Sequence, residues 1–238
     1  MKIYQFLFAA AVLQPTLAIF LGYVPWDVPN NDVKHITFPM SIADAPHQTG
    51  YYFMQYWILA GHNTGNYIGL QPRPDSSPGN SVIHGTFSTF VPGSTVNDPT
   101  HCHDGADGGP GVSCAVDFAG TYAHTYNLEV SNTQGTTWNG TAVDTVTGER
   151  IFIGSFNLPA GSGTTIAWHT ASVEYYVSTP ACNAFPHTSV VFGVPKTDAG
   201  VGTLGEPYEV GACAGKDNFQ WTRNGDGGVQ ITAGVSNQ

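Results

Sequence analysis

An N-terminal segment typical of a secretory signal peptide constrains this chain more than any other feature. Met1-Lys2 gives a positive start, residues 6–13 form a short apolar run, and Thr16-Leu17-Ala18 resembles a cleavage signal. The apolar run is too short to cross a bilayer as a helix. We therefore expect residues 1–18 to be a signal peptide and residues 19–238 to be one secreted, extracellular domain.

Secretion would place the cysteines in an oxidising compartment, where an even number indicates disulfides. The four cysteines are Cys102, Cys114, Cys182 and Cys213. Of the three possible pairings, we favour Cys102–Cys114 with Cys182–Cys213, because near neighbours close the smaller loops. A zinc site at His101-Cys102-His103 is the alternative, but its thiolate would compete with disulfide formation.

The charge balance argues against two classes of partner. The chain has 7 Lys and Arg against 17 Asp and Glu, a formal net charge of −10. So few basic residues leave no positive surface for a phosphate backbone or an anionic membrane. We therefore expect no nucleic-acid partner and no membrane partner.

Short apolar or alternating segments separated by Gly, Pro and Asn predict an all-β fold. This spacing favours a single two-sheet antiparallel β-sandwich or jelly roll of the concanavalin-like kind. The predicted strands cover residues 51–59, 67–71, 81–90, 122–130, 141–144, 150–156, 164–169, 173–178, 189–194, 218–221 and 229–232.

Residues 91–113, rich in Pro, Gly and Asp, interrupt this pattern and predict an irregular surface loop. Asp104 and Asp107 within it could supply oxygen ligands to Ca²⁺, and we expect no other cofactor. Their spacing does not match an EF-hand loop, so a Gly-rich turn in which Asp side chains bond their own backbone is the simpler interpretation.

The segment Val173-Glu174-Tyr175-Tyr176 resembles the nucleophile strand of jelly-roll xylanases. A retaining glycosidase needs two carboxylates about 5 Å apart. The only later glutamates, Glu206 and Glu209, follow too closely to supply that family's second motif. Glu174 is therefore the candidate catalytic residue only if the fold brings a second carboxylate to it.

Other polar and aromatic residues fit a sugar-binding surface. Aromatic rings stack on sugar faces while amide and imidazole groups bond the hydroxyls, so the glycan-binding candidates are Gln71, His84, Trp138 and Tyr176. Trp138 is expected to be exposed beside the sequon Asn139-Gly140-Thr141, which predicts N-glycosylation of Asn139 in a loop. Trp57 and Trp168 are expected in the core.

Histidines raise a further alternative. His84, His124 and His169 lie in predicted strands and could line a shared groove, where a polysaccharide lyase would use one as a base. The paired Arg/Glu and Gln/His motifs of alginate lyases are absent from the sequence.

Most of the chain resembles an uncharacterised family of secreted microbial proteins, a domain of unknown function presumed to be a β-sandwich. The resemblance covers residues 50–195 and implies a fold but no chemistry. It is carried by Tyr51-Tyr52-Phe53 with Trp57, Tyr67-Ile68-Gly69-Leu70-Gln71, Gly85-Thr86-Phe87-Ser88, residues 138–154, Val173-Glu174-Tyr175-Tyr176 and Phe192-Gly193-Val194-Pro195.

The sequence thus favours a secreted β-sandwich that binds an extracellular glycan or cell-wall surface without turnover. In a plant-associated microbe it could be an apoplastic effector that acts in virulence and is sensed by a host receptor. The alternatives are a carbohydrate-active enzyme using Glu174 with a second carboxylate, and a structural wall or spore-coat protein.

Overall fold

The computed structural model describes residues 18–177 and 181–235. The predicted signal peptide lies outside them except for Ala18. The strands within these residues are β1 Ile19–Val24, β2 Trp26–Asp27, β3 His35–Ser41, β4 Tyr51–Leu59, β5 Asn66–Pro72, β6 Val82–Thr89, β7 Thr95–Val96, β8 Cys102–Ala106, β9 Gly109–Ala119, β10 Thr125–Gln134, β11 Thr137–Asp144, β12 Arg150–Asn157, β13 Ile166–Tyr175, β14 Thr188–Phe192, β15 Lys196–Thr197, β16 Gly200–Val201, β17 Thr203–Leu204, β18 Tyr208–Glu209, β19 Gln220–Arg223 and β20 Val229–Ala233.

Two large antiparallel sheets confirm the predicted sandwich. The front sheet has the strand order β18-β1-β13-β4-β5-β6-β9-β8. The back sheet runs β19-β20-β14-β3-β10-β11-β12-β7, with β15 and β16 attached through β3. Because side chains alternate between the two faces of a strand, each sheet turns one set of residues toward the core and the other outward.

Strand β4 shows that the outer face of the front sheet is also apolar. It occupies the residues predicted for it and is buried on both faces. Tyr51, Phe53 and Trp57 pack into the main core between the sheets. Tyr52 and Met54 point the other way, into a second apolar cluster on the outer face of the front sheet.

Both disulfides form with the favoured pairing, Cys102–Cys114 and Cys182–Cys213. The first joins directly opposed residues of β8 and β9. The expectation of an irregular loop over residues 91–113 is therefore wrong, because much of that segment is a hairpin whose glycines allow a tight turn. Cys102 is bonded to Cys114, so it is not available as a ligand for the alternative zinc site at residues 101–103.

Other strand predictions need smaller corrections. The two strands predicted at 164–169 and 173–178 form the single strand β13, and residue 178 lies outside the described residues. The strands predicted at residues 141–144 and 150–156 pair as the hairpin β11–β12, and those predicted at 218–221 and 229–232 pair as β19–β20. Helical structure within residues 18–177 and 181–235 amounts to one 3₁₀ turn at Cys182–Ala184, and no helix there is long enough to span a membrane.

The two sheets meet closely around an aromatic pair. Phe87 of β6 stacks on Phe156 of β12 with ring centroids 4.6 Å apart. Gly140 of β11 lies under Phe87, and a Cβ atom there would come within 2.4 Å of the ring carbon Cγ. This position therefore requires glycine for sheet packing.

We predict that Gly140→Ala destabilises the fold by about 1–3 kcal/mol, the usual effect of overpacking a core. Gly225→Ala is the matched control, because a Cβ atom at Gly225 meets nothing within 4 Å. Urea unfolding of both variants at one pH measures the difference. Equal free energies of unfolding for the two variants would contradict this account of the packing.

Candidate active site

The outer face of the front sheet carries an aromatic cleft. Tyr52, Met54 and Tyr67 are buried there. Partly buried aromatic rings surround them, and the cleft has a volume of about 640 Å³. The residues lining the cleft are Ala18, Phe20, Tyr52, Met54, Tyr56, Tyr67, Gln71, Phe90, Asp107, Glu174 and Tyr176.

Strand register places an acid and an amide in one row across the floor of this cleft. Glu174 of β13 is directly opposite Tyr52 of β4. Leu70 of β5 pairs with Phe53, so the next residue, Gln71, lies beside Tyr52 on its other side. Neighbouring strands are about 4.8 Å apart, which puts the backbones of Glu174 and Gln71 roughly 10 Å apart.

Glu174 is the buried acid of this row. Its side chain is only 9% exposed, and its carboxyl group forms no hydrogen bond with the described residues. Burial, followed by the negative charge of Asp107, raises the pKa of Glu174 to about 7. A carboxyl group with this pKa can both accept and donate a proton near neutral pH.

Arg73 fixes the orientation of the amide. Its Nη2 donates to Oε1 of Gln71 at 2.8 Å, and its Nη1 donates to the hydroxyl of Tyr176 at 2.8 Å. Since the oxygen of the Gln71 amide faces Arg73, its NH₂ group is turned away from it. That NH₂ group has no hydrogen-bond acceptor in residues 18–177 and 181–235, and Gln71 lines the cleft.

Asp107 reaches the cleft from the β8–β9 hairpin. Asp107 and Gly108 form its two-residue turn, with φ values of +48° and +78°. Positive φ at both positions is the type I′ geometry that Asp-Gly sequences favour. The carboxylate of Asp107 also contributes to raising the pKa of Tyr52 and of Tyr67.

The structure brings together some of the sequence-predicted residues and separates others. Gln71, Tyr176 and Glu174 all line the cleft. His84 lies next to Gln71 in the register, but its Nδ1 is 2.6 Å from Oδ1 of Asp117. Burial lowers the pKa of His84, and the contact with Asp117 occupies its Nδ1, so His84 does not line the cleft.

The two tryptophan expectations are wrong in opposite directions. Trp138 is 3% exposed and packs in the core, because β11 turns it toward the other sheet. Trp168 is 45% exposed and contacts the edge of Tyr56 near the cleft. Asn139 lies within β11 and is half-buried, not in the loop expected for its predicted glycosylation.

The histidines do not share a groove. His169 stacks on the buried Trp26 with ring centroids 4.1 Å apart. His124 belongs to the other end of the sandwich, where its Nδ1 is 2.8 Å from Oδ2 of Asp144. These separate contacts remove the arrangement on which the lyase alternative depended.

The two candidate Ca²⁺ ligands, Asp104 and Asp107, do not enter one site. Asp107 enters the cleft, whereas Asp104 is exposed on β8 and does not line it. No three His, Cys, Asp or Glu side chains in the described part of the chain gather as a metal-binding group.

Sequence reasoning missed most of the cleft floor. The sequence predicts Tyr52 and Met54 only as parts of the strand at residues 51–59, and Arg73 is not among the predicted site residues. The signal that could have found them is the strand Tyr51–Leu59, whose outward face is as apolar as its inward face. In a sheet covered on one side only, such a face indicates a binding surface.

Comparison with known proteins supports the fold class at a distance. The sequence matches no protein-family model and no curated protein. A scytalido-glutamic peptidase with a peptide-based transition state analogue has 10% identity and a TM-score of 0.48, covering 92% of this chain and 98% of that one. SCP-B, a member of the eqolisin family of peptidases in complex with the tripeptide Ala-Ile-His, has 10% identity and a TM-score of 0.45 with the same coverage.

These findings correct the functional predictions. The structures of similar outline bear the names of peptidases, which contradicts the prediction of a glycan-binding effector without turnover and the glycosidase alternative. In the floor row the neighbour of Glu174 beyond Tyr52 is the amide Gln71, and the second carboxylate of the cleft, Asp107, comes from the β8–β9 hairpin. The family resemblance over residues 50–195 holds only as a β-sandwich. Similarity at this level does not assign an activity to the chain.

We predict that Glu174→Gln stabilises the protein at alkaline pH. The folded-state pKa of Glu174 is raised from 4.5 to about 7. Its contribution to stability is therefore fully present below pH 4.5 and is lost as the pH rises through 7, by about 3 kcal/mol. Glutamine carries no such cost.

Urea unfolding at pH 5 and pH 8 measures this effect. Glu174→Gln should gain about 2–3 kcal/mol relative to the parent between the two pH values. Glu206→Gln, on a residue that does not line the cleft, is the control. The same pH dependence in the parent and in Glu174→Gln would show that Glu174 is not desolvated as described.

Proposed function

We propose that this chain is a peptide-bond hydrolase in which Glu174 is the proton-transferring group. The observation that carries the proposal is the row formed by Glu174, Tyr52 and Gln71, with a buried acid on one side and an oriented amide donor on the other. Amide hydrolysis needs a group that moves a proton and a donor that stabilises the developing oxyanion.

In this mechanism a substrate carbonyl lies over Tyr52, between Glu174 and Gln71. Ionised Glu174 takes a proton from a water molecule, whose oxygen attacks the carbonyl carbon. The NH₂ group of Gln71 donates a hydrogen bond to the resulting oxyanion. Protonated Glu174 then gives its proton to the amide nitrogen, the C–N bond breaks, and an acid and an amine leave.

One carboxyl group is enough for this cycle, because Glu174 receives and returns the same proton. Burial supports that role, since it raises the pKa of Glu174 to about 7 and so makes both half-reactions accessible. Tyr52 stays protonated, as burial raises its pKa well above the ordinary value. The floor of the cleft is therefore uncharged except for Glu174.

We also infer that the protein acts outside the cell. The disulfides Cys102–Cys114 and Cys182–Cys213 support this inference, because such bonds persist in oxidising compartments.

The test is hydrolysis of unfolded casein and of internally quenched peptides by the purified protein. We expect kcat/KM to rise with pH through an apparent pKa near 7, as Glu174 ionises. Glu174→Gln should lower kcat by about 10²–10⁴-fold while the fold is retained. Peptide hydrolysis that persists in Glu174→Gln, or is absent from the parent across pH 3–9, would overturn the proposal.

Arg73 and Gln71 give a separate prediction. Gln71→Ala should lower kcat by about 10²-fold, as loss of an oxyanion donor does in other enzymes. Arg73→Met should lower kcat with a smaller effect on KM, because the amide can then rotate away from its productive orientation. Gln220→Ala, at an exposed position of β19, is the control.

A matched substitution separates orientation from folding. Arg73→Lys keeps the charge beside Gln71 and Tyr176 but loses the forked geometry that holds both groups. Activity should recover only in part. Full activity in Arg73→Met would show that Arg73 does not position the amide.

A further inference from the structure

The charged residues that line the cleft are acidic. Among the described residues its lining includes two acids, Asp107 and Glu174, and no Lys, Arg or His. The nearby Arg73 is bound to Gln71 and Tyr176, and its Nε lies 4.0 Å from Oδ1 of Asp117. No basic side chain of the described residues forms an ion pair with Asp107.

Asp107 is held in place without being neutralised. Its position is fixed by the two-residue turn and by the Cys102–Cys114 bond between the strands of the hairpin. Its carboxylate makes no hydrogen bond or ion pair with any residue in 18–177 or 181–235, and the residue is exposed. A rigid, unpaired carboxylate over a cavity is complementary to a positive group.

The aromatic floor of the cleft beneath Asp107 suits the apolar stem of a basic side chain. Tyr52 and Tyr67 meet edge to face with centroids 5.5 Å apart, and Phe90 packs beside Tyr67 at 5.4 Å. Aromatic faces attract cations and also cover the methylene stem of a long basic side chain. In the same cavity, the Glu174 side chain is only 9% exposed and has no hydrogen-bond partner among the described residues, so its carboxyl group is free to bond a polar group of a ligand.

We propose that this cleft selects peptides carrying a lysine or arginine side chain, which lies between the Asp107 carboxylate and the aromatic floor formed by Tyr52, Tyr67 and Phe90. The inference rests on the proposed function, since it names the substrate class of that site. Asp107 is a specificity residue in this scheme and takes no part in proton transfer.

Peptide binding is measured first, in a variant that is not expected to hydrolyse the peptides. The probes are an acetylated, amidated alanine pentapeptide with a central lysine and the same peptide with norleucine, which matches the stem of lysine but lacks its charge. The protein is Glu174→Gln, whose cleft retains only the Asp107 charge. Calorimetry at pH 7 should give about tenfold tighter binding of the lysine peptide, a preference that weakens at high salt.

Two further substitutions in that background decide the assignment. Asp107→Asn should abolish the lysine preference, so that the two peptides bind equally, and the Asn-Gly sequence preserves the type I′ turn. Asp104→Asn, on the same hairpin but outside the cleft, should keep the preference. Equal binding of the two probes by Glu174→Gln, or a lysine preference that survives Asp107→Asn, would overturn the inference.

Turnover then separates the two proposals. With the parent protein, kcat/KM for a quenched lysine peptide should exceed that of its norleucine counterpart about tenfold, and Asp107→Asn should make the two equal. If the lysine preference appears in binding but the parent cleaves neither peptide, the hydrolase proposal fails while the basic-side-chain site stands. If the parent cleaves both equally and binds both equally, the hydrolase stands and the site fails.

Discussion

The burial of β4 on both of its faces is the constraint on which this structure depends. Its inward residues, such as Phe53 and Trp57, join the front sheet to the back sheet through the core. Its outward residues Tyr52 and Met54 form the centre of the cleft floor. Because the same nine residues serve both surfaces, the register that packs the core also sets the register of the cleft, and a one-residue slip would exchange them.

The chemistry of the cleft follows from placing one acid on that apolar floor. Water is partly excluded around Glu174, so its charged form is disfavoured and its pKa rises. The same burial costs folding stability at neutral pH, and the large core between the two sheets offsets that cost. The charged form of Glu174 is therefore unfavourable at this site. The positions of Glu174 and Gln71 are nevertheless fixed, because both residues lie on strands of one sheet.

Much of the fold was predictable because its signals are local. The apolar segment Tyr51–Leu59 and the turn pattern of the β11–β12 hairpin specify strands through side-chain alternation and glycine placement. The hairpin at β8–β9 escaped prediction, since its Pro, Gly and Asp residues are also typical of an irregular loop. Its strand pairing is reinforced by the Cys102–Cys114 disulfide within the hairpin and by the pairing of β9 with β6, which lies outside it.

The sequence by itself determined that this is an all-β sandwich with two disulfides, and that Glu174, Gln71 and Tyr176 deserve consideration. Only the tertiary structure decided that Glu174 and Gln71 share one row, that Arg73 orients the amide and that Trp138 belongs to the core. These residues are separated by up to about a hundred positions in the chain. Alternation fixes which neighbours share a face within one strand, but pairing between distant strands fixes which strands lie side by side.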